Sequence, residues 1–198
     1  MVTSMRDQVA DRELAQRAAG GDEASWRAIY DATCDRLFSF LRYQVGNREE
    51  ALDLLQETYL KAFRSLGEYR GDAPIASWLR AIALRKSLDW RRGALQRLRR
   101  NVELTEEVGV VETDRSDVRF DSERAAIHGA LATLSPPQRA ALLLREWEGW
   151  SFREIADALR CKESTARVHH TRARERMRVA LGVGAASLEA RGLEGQES

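Results

Sequence analysis

The sequence predicts an all-α protein made of two small helical domains that an acidic linker joins. The composition favours helices, because Ala, Leu, Arg and Glu are abundant and only 3 of the 198 residues are proline. Apolar residues recur at steps of three and four in two separate parts of the chain. Between these parts lies a stretch without that repeat whose charged residues are mostly acidic, as is typical of a linker.

We therefore divide the chain into five segments. They are an N-terminal extension at 1–22, a helical domain at 23–100, the acidic linker at 101–122, a second helical domain at 123–182 and a flexible tail at 183–198. No apolar run approaches the roughly 18 residues that a membrane span needs. The first residues also lack the apolar core of a signal peptide. We expect a cytoplasmic protein.

Residue types that carry chemistry are sparse. The two cysteines, Cys34 and Cys161, are far apart in sequence and belong to no CxxC pair. We expect neither a disulfide framework nor a zinc site, and we interpret each cysteine as a small buried apolar residue. The chain shows no phosphate-cradling glycine loop, metal-ligand cluster or nucleophile with a base, so we expect no cofactor and no enzymatic activity.

The first domain is predicted to begin with two helices. In the first, Asp22 is the N-cap and apolar residues recur at helical spacing. Its inward residues are predicted to be Trp26, Ile29, Tyr30, Leu37, Phe38, Leu41 and Val45. The second helix begins at Asn47, which has capping-box spacing with Glu50, and it ends before Gly67.

This second helix is predicted to have two contrasting faces. Helical spacing places on the buried face Ala51, Leu54, Leu55, Thr58 and Ala62. The opposite face carries Asp53, Gln56, Glu57, Lys61 and Arg64. Leu60 lies among these polar residues, and an exposed apolar side chain in such surroundings points to a partner protein.

A basic helix with interleaved aromatic residues is predicted after the turn at 67–74. Residues 75–100 carry eight basic residues against one acidic residue, Asp89. Ile75, Leu79 and Ile82 are predicted to face inward, and Arg80, Ser87 and Arg91 to face outward, with Arg85 and Arg92 on the flank. Tyr69, Trp78 and Trp90 lie beside these charges. Arginines that follow a phosphate backbone, next to rings that stack on bases, predict binding of single-stranded nucleic acid.

The second domain is predicted to end in a helix-turn-helix. A helix over 123–134 is followed by one that Ser135 caps and Pro136 opens. The next helix begins with a capping box between Ser151 and Glu154, and the short turn LRCK then leads into a helix rich in arginine. A tight helix pair with a basic second helix is typical of proteins that insert this helix into the DNA major groove.

The last helix is predicted to have an inner and an outer face. The inner stripe is Ala166, His170, Ala173 and Met177, so we interpret His170 as a packed core residue. The outer face is Ser164, Val168, Thr171, Arg172 and Glu175, with Arg167 at its edge. Val168 has no packing role there, and we expect it to meet a thymine methyl group while Arg167 or Arg172 pairs with guanine.

The order of these parts resembles the sigma-70 family of bacterial RNA polymerase sigma factors, in the compact extracytoplasmic-function (ECF) group. The resemblance covers roughly residues 23–181. The segment DLLQETYLKAF resembles the region-two helix that docks on core RNA polymerase, and YRGDAPIASWLRAIALRKSLDWRR resembles the segment that melts and reads the minus-ten promoter element. The segments LSPPQRAALLLREWEGWSFREIADAL and TARVHHTRARERMR resemble region four, which reads the minus-thirty-five element.

The resemblance implies a transcription initiation factor and assigns roles to three groups of residues. Docking on core polymerase is assigned to Asp53, Gln56, Glu57 and Leu60. Contacts to the melted minus-ten strand are assigned to Tyr69, Asp72, Trp78, Arg80, Arg85, Lys86, Arg91 and Arg92. Contacts to the minus-thirty-five duplex are assigned to Ser164, Arg167, Val168, Thr171, Arg172, Arg174 and Arg178. The expected partners are core RNA polymerase, promoter DNA and an anti-sigma factor, which could hold the chain at the membrane without membrane insertion.

Three positions depart from the family pattern. Arg160 stands where Gly is common in the turn, and it is strained if that residue needs a positive φ. Arg85 occupies a position that is commonly Asn, and His170 one that is usually Leu.

The main alternative is a helix-turn-helix regulator that binds duplex DNA without polymerase. That alternative leaves Trp78, Trp90 and the predicted docking helix without a role. The net charge of +1 also favours a sigma factor, because a strongly basic chain would bind DNA non-specifically on its own.

Overall fold

The computed structural model describes residues 5–102 and 122–182, and all of their regular structure is helical. The all-α fold class is therefore confirmed. The described residues form two compact units, one before and one after residues 103–121. Most of the predicted linker and all of the predicted tail lie outside the described residues. Within the described ranges, no helix combines the length and the apolar character that crossing a membrane requires.

The first unit is built on α1 (Met5–Ala19), α2 (Glu23–Val45), α3 (Arg48–Ser65) and α4 (Ile75–Val102), with a short 3-10 turn at Leu66–Glu68. Helices α2, α3 and α4 pack against one another, and α1 packs on α2, on α4 and on the 3-10 turn. The sequence did not predict α1, because the side chains that it buries are mainly the small residues Ala15 and Ala18.

Side-chain caps and one glycine set the ends of α2 and α3. Asp22 accepts a hydrogen bond from the Ala24 backbone N–H at 3.2 Å, and Asn47 accepts one from Glu50 at 3.1 Å. Between them, Gly46 has φ 87, and its N–H donates to Arg42 O at 2.9 Å. This left-handed residue ends α2. The two side-chain hydrogen bonds confirm the predicted N-caps, Asp22 and Asn47.

The core of the first unit lies between α2, α3 and α4. Phe40, Leu41 and Leu79 are fully buried, and each such side chain stabilises the fold by about 1.5–3 kcal/mol. Tyr30 was predicted to face inward, but it is exposed, because it lies at the edge of the α2–α3 contact with its ring 4.7 Å from that of Tyr59. Cys34 is half-buried, not buried as predicted, and its thiol hydrogen bond raises the pKa of Tyr30.

The second unit comprises α5 (Ser122–Ala132), α6 (Pro136–Leu142), α7 (Phe152–Leu159) and α8 (Glu163–Ala180), with a π turn at Leu143–Trp147. Helix α8 packs against α5, α6 and α7. The predicted Pro136 start and the Ser151–Glu154 capping box are both confirmed. In the capping box, Ser151 N donates to Glu154 Oε2 at 2.7 Å and Glu154 N donates to Ser151 Oγ at 3.2 Å.

Candidate nucleic-acid interface

A turn of three residues, 160–162, joins α7 to α8. Arg160 has φ 54 and ψ 48, and it is the one residue other than glycine with a positive φ in the described ranges. The Cys161 N–H donates to Ala156 O at 3.0 Å, and the Arg160 N–H donates to Asp157 O at 3.3 Å. The turn therefore keeps the left-handed geometry that glycine usually provides, and the strain expected at Arg160 is present.

The inner face of α8 agrees with the sequence pattern. Ala166, His170 and Ala173 are buried and Met177 is half-buried. The sequence did not predict the partners of His170. Its Nε2 lies 2.7 Å from Glu146 Oε1, and its ring meets that of Phe152 edge-on at 5.3 Å. Glu146 belongs to the π turn, which places its carboxylate beside α8.

The outer face of α8 is exposed along its whole length. It consists of Ser164, Arg167, Val168, Thr171, Arg172, Arg174, Glu175 and Arg178, all of which are exposed. Val168 exposes 44% of its surface, which confirms its outward orientation. The predicted helix orientation is therefore right, and the face combines one exposed apolar side chain, Val168, with several cations.

The arginines of this face differ in how they are held. Arg167 forms an ion pair with Glu163 at 2.5 Å, and Arg178 forms one with Glu175 at 2.8 Å. Arg172 and Arg174 form no hydrogen bond or ion pair with any described residue. Exposed ion pairs such as these contribute only about 0–1 kcal/mol, so a phosphate or a guanine can displace the carboxylates at low cost.

Arg176 and Arg145 make contacts within the second unit and do not belong to the outer face of α8. Arg176 donates to Thr133 O and to Gln138 Oε1, both at 3.3 Å, and so ties α8 to the segment after α5 and to α6. Arg145 and Arg167 both lie over the ring of Phe152, at 4.9 and 4.5 Å from its centroid. This stacking fixes Arg167 near the start of α8.

Helix α4 does not present the face that the sequence predicted. Ile75 and Leu79 are buried as expected, but Arg80 is only 4% exposed and Ser87 is also buried. The predicted outward orientation of Arg80 and Ser87 is therefore wrong. The physical reason is that α4 packs against both α2 and α3, so its buried stripe is wider than one helix contact would require.

Tyr69 is also less accessible than a stacking role needs. It is buried, its hydroxyl donates to Ala73 O at 2.6 Å, and its ring lies 5.5 Å from that of Trp78. Burial raises the pKa of Tyr69 to about 12, with smaller contributions from the carboxylates of Asp11 and Asp72. Tyr69 thus packs against Trp78, and its ring is too buried for a base to stack on it.

The remaining predicted minus-ten residues lie at the surface to different extents. Asp72, Arg85 and Arg92 are exposed, while Trp78, Lys86 and Arg91 are half-buried, as is Trp90. Arg92 is paired with Asp89 on the same helix. Burial lowers the pKa of Arg91, and Glu50 opposes this effect. The guanidinium of Arg91, which was predicted to face outward, is therefore only partly accessible to a ligand.

The residues predicted for the exposed face of α3 are exposed, and this face also carries apolar residues that the sequence analysis did not place there. Asp53, Gln56, Glu57 and Leu60 are all exposed, with Leu60 at 52%. Leu52 and Phe63 are exposed as well. Together, Leu52, Gln56, Leu60 and Phe63 form what we call the α3 stripe, and helical spacing could have revealed it. Glu57 receives a hydrogen bond from Lys86 of α4 at 2.6 Å.

Comparison with known proteins gives two family matches. Residues 29–98 match the sigma-70 region 2 family, and residues 124–177 match the sigma-70 region 4 family. The first match includes α3 and most of α4, and the second includes α6, α7 and nearly all of α8. The candidate surfaces on α3 and α4 therefore lie inside the first matched range, and the outer face of α8 lies inside the second except for Arg178.

Curated relatives and solved structures agree with these matches. The chain is 29% identical to the RNA polymerase sigma-H factor of Pseudomonas aeruginosa, over 89% of this chain and 96% of that protein. It is 32% identical to the ECF RNA polymerase sigma factor SigX of Bacillus subtilis, over 72% of this chain and 76% of that protein. The sigma factor RpoE from Bartonella quintana, solved in complex with the anti-sigma factor NepR, shares the fold with a TM-score of 0.65 and 21% identity, covering 80% of this chain and 97% of that chain. The chain thus belongs to the sigma-70 family, in the ECF group, and is a transcription initiation factor that directs RNA polymerase to promoters.

Proposed function

We propose that the chain docks on core RNA polymerase through the α3 stripe, reads the minus-thirty-five element as duplex through α8 and binds the minus-ten element as a melted strand through α4. The observation that carries this proposal is the continuous exposed face of α8. It presents Val168 next to Arg167 and Arg172, on a helix that a tight turn holds against α7. A helix presented in this way suits the major groove of B-form DNA.

The chemistry of this face favours a particular base sequence. The methyl groups of Val168 match the C5-methyl of thymine, which is the apolar feature displayed in the major groove. A neighbouring guanidinium, from Arg167 or Arg172, can donate two hydrogen bonds to guanine O6 and N7. We therefore expect a minus-thirty-five element in which a thymine lies beside a guanine.

Binding of the melted strand is assigned to the surface that α4 leaves free. Trp78 rests on Tyr69 and keeps part of its ring accessible, which allows a base to stack on it. Of the polar residues assigned to the minus-ten strand, those that remain accessible are Asp72, Arg85, Lys86 and Arg92. Arg80, Tyr69 and Arg91 support this surface from inside and are not proposed as direct contacts.

Docking on core polymerase is supported by the composition of the α3 stripe. Leu60 and Phe63 each expose more than half of their surface, and Asp53 and Glu57 flank them. A contiguous apolar patch with a polar rim is typical of a protein interface. Since RpoE of Bartonella quintana was solved with an anti-sigma factor, we also propose an anti-sigma factor as a regulatory partner of this chain.

Selection of promoter sequences by the reconstituted holoenzyme tests the assignment of α8. The Val168→Ser variant should lose the thymine preference at one position of the minus-thirty-five element and leave the rest of the selected sequence unchanged. The matched control is Val179→Ser, because Val179 is exposed on the same helix about 16 Å further along its axis. If wild-type and Val168→Ser holoenzymes select the same bases, Val168 does not read the element.

A further inference from the structure

Helix α1 supplies a cap to helix α4. The backbone N–H of Ile75, the first residue of α4, donates to Asp11 Oδ2 at 2.9 Å, across 64 residues of sequence. The first N–H groups of a helix have no partner inside it, and a carboxylate there also interacts favourably with the positive end of the helix dipole. Asp11 therefore does for α4 what a neighbouring Ser or Asp does for most helices.

A second contact joins α1 to the loop before α4. Gly71 has φ 78, and a Cβ atom at that position would lie 3.4 Å from the Cβ of Arg12. The Arg12 side chain thus passes closely over the loop backbone. Adjacent residues of α1 therefore hold both the loop, at Gly71, and the helix start, at Ile75.

The held segment contains the groups that we assign to the minus-ten strand. Asp72 lies in the loop, and Trp78 lies in the first turn of α4, where its N–H donates to Pro74 O at 3.0 Å. Tyr69 connects the two, because its hydroxyl bonds to Ala73 O and its ring packs on Trp78. Any loosening at Ile75 would therefore move Asp72 and Trp78 relative to each other.

We infer that Asp11 is a positioning residue for minus-ten recognition: its cap on Ile75 orders the 69–78 segment before the strand binds. In this role Asp11 acts through Ile75 and needs no contact with DNA of its own. This inference rests on the proposed role of Trp78 in strand binding. Without the cap, part of the binding free energy must re-form the first turn of α4, so the apparent affinity falls with the fraction of ordered molecules.

The test measures two properties of Asp11 variants. In the free full-length protein, hydrogen exchange of the backbone amides in 69–78 should become faster in Asp11→Ala, while exchange in α3 stays the same. In the holoenzyme, affinity for a single-stranded minus-ten oligonucleotide should fall about fivefold, the typical equilibrium effect of losing one N-cap. Affinity for core polymerase and for minus-thirty-five duplex should not change.

Three further variants make the result specific. Asp11→Asn keeps an oxygen that can cap the helix, since Asn is as good an N-cap as Asp. This variant should retain the wild-type hydrogen exchange of 69–78 and the wild-type affinity for the minus-ten strand. Asp11→Glu keeps the charge but displaces the oxygens, and it should show a smaller loss; it also replaces Asp11→Ala if that variant folds poorly. Glu13→Ala removes an exposed carboxylate from the same helix and should have no effect.

Two results would overturn the inference. One is unchanged exchange of 69–78 in Asp11→Ala, which would mean that the cap does not order the segment. The other is faster exchange with full strand affinity, which would mean that order in this segment is irrelevant to binding. A Trp78→Ala variant separates these from failure of the proposed function: if Trp78→Ala binds the strand normally, strand reading by α4 is itself wrong.

Discussion

Tyr59 and Tyr69 are buried phenols, each with a single defined hydroxyl partner in the first unit. Tyr59 OH lies 2.8 Å from Thr33 Oγ1, and Tyr69 OH donates to Ala73 O at 2.6 Å. Burial raises the pKa of both residues to about 12, from an ordinary value of 10.0. These two residues make the stability of the first unit sensitive to alkaline pH.

The direction of that sensitivity follows from proton binding. Between pH 10 and 12 the folded state keeps protons on Tyr59 and Tyr69 that the unfolded chain has lost. Their contribution to the free energy of unfolding is therefore fully present below pH 10 and falls as the pH rises towards 12. Denaturant unfolding at several pH values should show this fall. In Tyr69→Phe the fall should be smaller, and at neutral pH the variant should be less stable by about 1 kcal/mol because it lacks the hydrogen bond.

Phenolate absorbance checks the same point independently. Three of the 4 tyrosines, Tyr30, Tyr59 and Tyr69, should ionise above the ordinary value of 10.0. Simultaneous ionisation of all four in the native protein would show that Tyr59 and Tyr69 are not shielded from water.

The two long helices of the first unit show what sequence periodicity can and cannot predict. The buried face of α3, from Ala51 to Ala62, was predicted correctly because one side of this helix is covered and the other is open. The orientation of α4 was partly wrong, because a helix that packs against two neighbours also buries residues such as Arg80 that a one-face projection assigns to solvent.

The candidate site divides in the same way. The outer face of α8 was predictable, since its inner stripe of Ala166, His170 and Ala173 fixes the rotation of the helix. The partners of that stripe were not, because Glu146 reaches His170 only through a π turn that no residue pattern announces. The Asp11 cap was equally hidden, since a contact across 64 residues has no local sequence signature.

The turn between α7 and α8 allows a direct measurement of backbone strain. In Arg160→Gly the left-handed conformation loses its steric penalty, and the second unit should gain about 0.5–1 kcal/mol of stability. The matched change Arg174→Gly, in the middle of α8, should destabilise the unit by about 1 kcal/mol. Hydrogen exchange of α7 and α8 in the full chain measures both effects, and equal signs for the two variants would contradict the strain at Arg160.

The α3 stripe yields a prediction about core polymerase. Replacing Asp53 and Leu60 together with Ala should weaken binding to core enzyme and leave the thermal unfolding curve almost unchanged, because exposed substitutions usually shift stability by less than about 0.5 kcal/mol. Exchange of Lys61 and Arg64 for Ala on the same helix gives a comparison at neighbouring exposed positions. Wild-type affinity of the double variant for core enzyme would remove the docking assignment.

At the scale of the whole molecule, near-neutral charge governs how the chain meets DNA. The net charge is +1, although residues 75–100 carry eight basic residues against one acidic residue. A net charge near zero gives little long-range attraction between the isolated protein and DNA, so the isolated protein should bind promoter duplex weakly and without strong sequence preference. The holoenzyme should bind specifically.

Gel shift of the protein with and without core polymerase checks this expectation. Strong specific binding by the isolated chain would instead support a regulator that acts without polymerase. The assay should be repeated at several salt concentrations, since the slope of affinity against salt reports how many phosphates are neutralised.

The exposed Leu52, Leu60 and Phe63 of the α3 stripe also have a consequence for the handling and turnover of the protein. An apolar strip that none of the described residues covers favours self-association as concentration rises, so free protein made in excess should lose solubility before it loses its fold. Production together with a partner that covers the stripe would prevent this. The same surface that recruits a partner would then limit how much unbound protein a cell can keep in solution.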